Sequence, residues 1–137
     1  MKVDFMYFLD DIKTEEKELL ELNQNLNKNI SLTKENVLEL IHTKNNFLKE
    51  IGRIDLTNSI LENIILTFID SSFIDKDNYM EIFLSLTETF IYYENIFSKK
   101  LSSEEILNYL KIEFESNEGS IDLLNTISLE RLCDKIC

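Results

Sequence analysis

Apolar residues recur along this chain at intervals of three and four. No stretch sustains the alternation of a strand, so the pattern predicts an all-α protein. The first segment, about Asp4 to Asn27, carries the seam Phe5, Leu9, Ile12, Glu16, Leu19, Asn23 and Leu26. Its polar middle fits one amphipathic helix or two that break near Thr14. Thr33 is placed to cap a second helix whose stripe is Val37, Leu38, Ile41, Leu48 and Ile51, with Gly52 as its stop. A third helix, capped by Thr57 or Asn58, presents Ile60, Leu61, Ile64, Ile65, Phe68 and Ile69 and ends near Asp70.

The fourth helix, about 77–98, is apolar over most of its circumference. One stripe is Tyr79, Ile82/Phe83, Leu86, Phe90, Tyr93 and Phe97; a second is Met80, Leu84 and Ile91. Only Glu81, Ser85, Glu88 and Asn95 form a polar strip, with Tyr92 upon it. Such a helix is contacted on several sides, which places it at the centre. Ser102 and Glu105 form a capping box for a fifth helix bearing Ile106, Leu107, Leu110 and Phe114. After Gly119 the tail reads as two short helices: Ile121, Leu124 and Ile127 pack on one side, and Leu129, Leu132, Cys133 and Ile136 on the other. Ser128 is the expected cap between them. The expected architecture is therefore a single compact bundle of five to seven helices. Residues 1–137 form one domain, and the amphipathic segment 1–28 lies at its periphery.

Composition agrees with a folded body. The 137 residues are 44% hydrophobic and 29% charged, enough for one domain with a core of its own. No charge-free run exceeds seven residues, so no transmembrane helix is expected. Asp4 interrupts the first apolar stretch, so no secretory signal is expected there. The two cysteines, Cys133 and Cys137, lie four apart at the end of the sequence. That is no disulfide framework, and a reducing cytoplasm is the expected setting.

Charge narrows the function. Net charge is -12, and residues 54–98 carry eight acids against one base, Lys76. Such a field repels phosphates, so neither direct nucleic-acid binding nor membrane binding is expected. A basic protein partner suits it.

The sequence holds no complete catalytic or metal-binding set. Glu39 and His42 have the Glu-x-x-His spacing of di-iron bundles, but His42 is the chain's single histidine. Cys133, Cys137 and His42 offer zinc three ligands and no convincing fourth. Asp75-Lys76-Asp77-Asn78 opens like a calcium loop, yet Tyr79 and Met80 occupy its fifth and sixth positions, the sixth being where glycine is required. Asp75 or Asp77 is better read as the cap of the fourth helix. Glu15, Glu18 and Glu21 share a helix face without a facing acidic step, so they read as a solvated surface. No glycine-rich phosphate loop and no nucleophile elbow occurs. Cys133 reads as a small hydrophobe, and no cofactor is expected.

Several runs resemble a known group of sequences. They are Gly52-Arg53-Ile54-Asp55, Ile60-Leu61, the stretch from Phe68 through Asp70-Ser71-Ser72-Phe73-Ile74-Asp75 to Tyr79, Phe90-Ile91-Tyr92-Tyr93, Gly119-Ser120-Ile121-Asp122, and Leu129-Glu130 with Leu132-Cys133. Together they resemble an uncharacterised family of small helical proteins, a domain of unknown function from Gram-positive anaerobic bacteria. The likeness runs from about Leu19 to Cys133. Thr57-Asn58-Ser59 departs from a glycine-rich turn and Ser72 from a proline. The resemblance implies a helical fold and transfers no activity.

The expected role is a non-enzymatic, cytoplasmic protein-interaction module with an acidic surface. Its candidate partner-binding residues are Asp70, Asp75, Asp77, Glu81, Glu88 and Tyr92. One alternative is a small metal-dependent hydrolase, with Asp70, Asp75, Asp77 and Tyr79 converging in the acidic loop 70–79. Another is a self-associating structural protein that dimerises through Phe5, Phe8 and Leu9.

Overall fold

Thr33 starts the first complete helix as its position suggests. Its hydroxyl accepts the Asn36 N–H at 3.1 Å, and the Asn36 Oδ1 accepts the Thr33 N–H at 3.0 Å. The helix, α1, runs Lys34–Glu50 and ends at Gly52, whose φ of 73° takes the left-handed turn. There the N–H of Arg53 returns to the Leu48 carbonyl and that of Gly52 to the Lys49 carbonyl, which satisfies two end carbonyls.

The computed structural model describes residues 16–21, 30–53 and 59–136. Its six helices are α1, α2 (Ser59–Phe68), α3 (Tyr79–Phe97), α4 (Ser103–Ser116), α5 (Ile121–Leu124) and α6 (Ile127–Ile136). Residues 16–21 are also helical, and no strand occurs among the described residues. The protein is an all-α bundle. The second to fifth helices expected from the sequence are α1 to α4. The expected break near Thr14, the caps Thr57 and Asn58, and the patch at Phe5, Phe8 and Leu9 lie outside the described residues.

The central helix is α3, which packs against α1, α2, α4 and α5. Its buried residues include Phe83, Leu86, Phe90, Ile91, Tyr93 and Phe97, drawn from both expected stripes. Tyr79 donates to the Asn36 Oδ1 at the start of α1, and Arg53, just past the end of α1, pairs with Glu94. Hence α1 and α3 run in the same direction. The opposite course belongs to α4, since Ser103 at its start bonds Glu94. Near its end, the Phe114 ring packs edge-on to Phe68 and Phe73, with centroids at 5.4 and 6.4 Å. Such edge-to-face pairs suit the ring quadrupoles and fix the aromatic core between α2 and α4. Leu19, from residues 16–21, is fully buried in the same core.

Some local expectations need correction. Leu38 is only half-buried; Leu40 and Lys44 lie on the buried side of α1, and Lys44 is fully covered. Ser128 is not a cap. It lies inside α6, fully buried, where its hydroxyl accepts from Asn117 Nδ2 at 3.0 Å. Ile127, expected beside Ile121 and Leu124, is half-exposed. A short helix cannot aim both Ile127 and Leu132 inward, and the core takes Leu132.

Candidate functional site

The parallel course of α1 and α3 leaves a groove where the end of α1 passes the middle of α3. Its volume is about 430 Å³. One wall is Phe47, Glu50 and Ile51; the other is Glu88, Thr89, Ile91 and Tyr92. Asn125 and Leu129 also line it, and the Asn125 Oδ1 accepts from the Thr89 hydroxyl at 3.2 Å. Glu50, Glu88 and Tyr92 are exposed. A groove so lined offers negative charge and aromatic surface over an apolar floor. Among the described residues that line it there is no nucleophile–base pair.

The six candidate residues do not form one cluster. Asp70 is exposed and pairs with Lys111 Nζ at 3.0 Å, across to α4. Asp75 Oδ1 accepts the backbone N–H groups of Asp77 and Asn78 at 2.8 and 3.0 Å, and Asn78 Oδ1 accepts the Asp75 N–H at 2.8 Å. This reciprocal bonding closes the turn that leads into α3. The N-cap of α3 itself is Asn78, without a side-chain cap bond, so Asp75 orders the preceding turn and neither it nor Asp77 is the expected helix cap; Asp77 is exposed. Tyr79 is tied to Asn36, so Asp70, Asp75 and Tyr79 are occupied by three separate structural contacts, and Asp77 stands apart from them in solvent. Glu81, Glu88 and Tyr92 do share a line. Spacings of seven and four place them along the solvent side of α3, all exposed. Glu88 and Tyr92 enter the groove wall.

Reading the sequence alone missed Phe47, Glu50, Asn125 and Leu129, because no local pattern joins them to Glu88. The only available signal was the composition of α1's last turn, where Glu50 stands beside an apolar Phe47 and Ile51.

Elsewhere the polar groups serve the frame. Arg53 Nη1 sits 2.6 Å from Glu94 Oε1, an ion pair without an aligned N–H, while Glu94 Oε2 accepts from Ser103 at 2.8 Å. Between α3 and α5 the Tyr93 hydroxyl donates to the Leu124 carbonyl. The Tyr109 hydroxyl donates to the Ser128 carbonyl, with Glu113 Oε1 3.3 Å away, and Arg131 Nη1 donates to Glu113 Oε1 at 3.0 Å. Burial pushes the Tyr109 hydroxyl up to about 12, reinforced by the Glu113 carboxylate and opposed by Arg131. Burial likewise raises Tyr93, with Tyr109 and Glu113 adding to it. Tyrosines held this firmly neutral act as hydrogen-bond donors.

Among the described residues no three His, Cys, Asp or Glu side chains are placed to hold a metal ion. His42 and Glu39 are exposed on α1, and Cys133 is half-buried and packed against the core. No described helix is long and apolar enough to cross a membrane.

In comparison with known proteins, residues 18–137 match the model of a family of unknown function (DUF6323). Neither the curated proteins nor the solved structures contain a match.

Proposed function

The chain belongs to this family of unknown function, and on that premise we propose that it is a non-enzymatic protein-interaction module whose acidic surface meets a basic protein partner. One observation carries the reading. The solvent side of α3 exposes Glu81, Glu88 and Tyr92, and no Lys or Arg occurs from 77 to 98 to neutralise it. A line of exposed like charge speeds encounter with an opposite surface and discourages phosphate-rich ligands. The partner is therefore a protein, not nucleic acid or an anionic membrane, and two cysteines without the spacing of a disulfide framework suit a cytoplasmic setting.

The hydrolase alternative has less support. It needs the acids of loop 70–79 to converge, and Asp70 and Asp75 are engaged in an ion pair and in the turn before α3. Self-association is opposed by the charge of -12 that each copy would bring.

The test is cross-linked isolation of the protein from its own cells, followed by titration of the purified partner at low and moderate salt. A partner with a basic face should bind, and its affinity should fall several-fold between about 50 mM and about 300 mM salt, as screening shortens the reach of exposed charge. An association indifferent to salt, or a partner without a basic face, overturns the reading.

A further inference from the structure

We propose that the groove between α1 and α3 is an arginine-recognition site, seating one guanidinium side chain that the basic partner presents among apolar neighbours. The inference rests on the interaction-module reading and narrows it to one place and one side-chain chemistry.

Charge complementarity selects the occupant. Glu50 and Glu88 approach the groove from two different helices, and neither has an ion pair or side-chain hydrogen bond among the described residues. Glu16, Glu94, Glu113 and Glu115, by contrast, each pair with a base. A cation between two such carboxylates satisfies both. Phe47 and Tyr92 line the same space, and an aromatic face attracts a cation held against it.

Arginine meets these conditions better than lysine. Its guanidinium is flat, stacks on rings, and presents five donors in a fork that suits carboxylates. Lysine offers a strongly hydrated point charge that neither stacks nor bridges as well. The groove, at about 430 Å³, is larger than one side chain, and Ile51, Ile91 and Leu129 give it apolar surface. Ile96, 40% exposed one turn beyond Tyr92, continues that surface along α3. The arginine therefore arrives with apolar flanking residues. A second copy of this chain is a poor occupant, because a symmetric contact would set Glu50 and Glu88 against their own equivalents. Anions are excluded by the same carboxylates.

The experiment uses the full chain and a short synthetic helix-forming peptide with one arginine among leucines and glutamines. Lysine and citrulline versions serve as comparisons. Amide NMR on the unaltered protein should show the arginine peptide moving signals of Phe47, Glu50, Tyr92 and Asn125, with tighter binding than either comparison peptide. Replacing both Glu50→Gln and Glu88→Gln should weaken binding about tenfold, the scale of one lost charge-assisted contact. Glu39→Gln with Glu104→Gln removes the same formal charge from exposed sites away from the groove and should change binding by less than about twofold. Tyr92→Phe should retain the interaction and Tyr92→Ala should lose part of it, since the ring is what holds the cation.

Equal losses in the two double variants overturn the groove and leave the broader acidic-surface reading standing. A citrulline peptide that binds as well as the arginine peptide overturns the cation. Binding that moves signals elsewhere, or no binding of any of the three peptides, overturns the site, while the salt titration of the natural partner still decides the module reading.

Discussion

Two glycines hold left-handed backbone for different reasons. Gly52 has a φ of 73° and open space around its α-carbon, so Gly52→Ala bears only the backbone cost, about 1–2 kcal/mol. At Gly119 the φ is 81°, and an added Cβ would fall 2.7 Å from the Cβ of Phe73. Gly119→Ala adds that collision to the backbone cost, for a total of about 2–4 kcal/mol. Chemical denaturation of the two variants checks the ranking; equal losses would mean that Phe73 yields freely. Tyr109 makes a second prediction at this scale. Its folded-state pKa stands above the unfolded value, so its contribution is complete below about pH 10 and is lost as pH rises toward about 12. Tyr109→Phe should therefore flatten the alkaline limb of the stability profile measured by urea midpoint, and an unchanged limb would refute the assignment.

Among the elements, the helix ends were legible because their partners sit three residues apart. Ser102 and Glu105 cap α4 reciprocally, at 3.0 and 3.1 Å, as their spacing announces. The Ser102 backbone N–H, and after it the Ser102 hydroxyl, also hold the Glu105 carboxyl below its usual range. Ser102→Ala should cost about 1 kcal/mol, read from the shift in denaturation midpoint. Ser128 was misread because its partners are distant in sequence: Asn117 lies 11 residues away and Tyr109 19. A serine ahead of an acidic residue looks like a cap until a neighbouring helix claims it. The same distance hid Glu113, whose side chain is 9% exposed and pairs with Arg131, 18 residues on. Arg131→Met strands that carboxylate and should destabilise by about 1–3 kcal/mol. Adding Glu113→Gln should recover much of the loss, and strict additivity of the two changes would rule the pair out as a unit.

At the level of the whole molecule, helical periodicity sufficed to place α3 at the centre, because a helix apolar on most sides needs neighbours on most sides. The groove was not legible, since Glu50 and Glu88 come together only through the relative course of two helices. Surplus charge also acts on the body as a whole. A net charge of -12 repels itself in the folded state more than in the expanded one. Raising sodium chloride from about 10 mM to about 300 mM should lift the melting temperature by roughly 3–6 °C for each kcal/mol of repulsion relieved. A melting temperature that falls with salt would mean that ion pairs such as Arg53–Glu94 outweigh the surplus. The shared direction of α1 and α3 has a further result during synthesis. Tyr79 reaches Asn36 only after 43 more residues have been added. At about 5–20 residues per second, the flank of α1 destined for α3 stays uncovered for seconds while the nascent chain is still on the ribosome. A chain halted before α3 emerges is thus the form most in need of a chaperone.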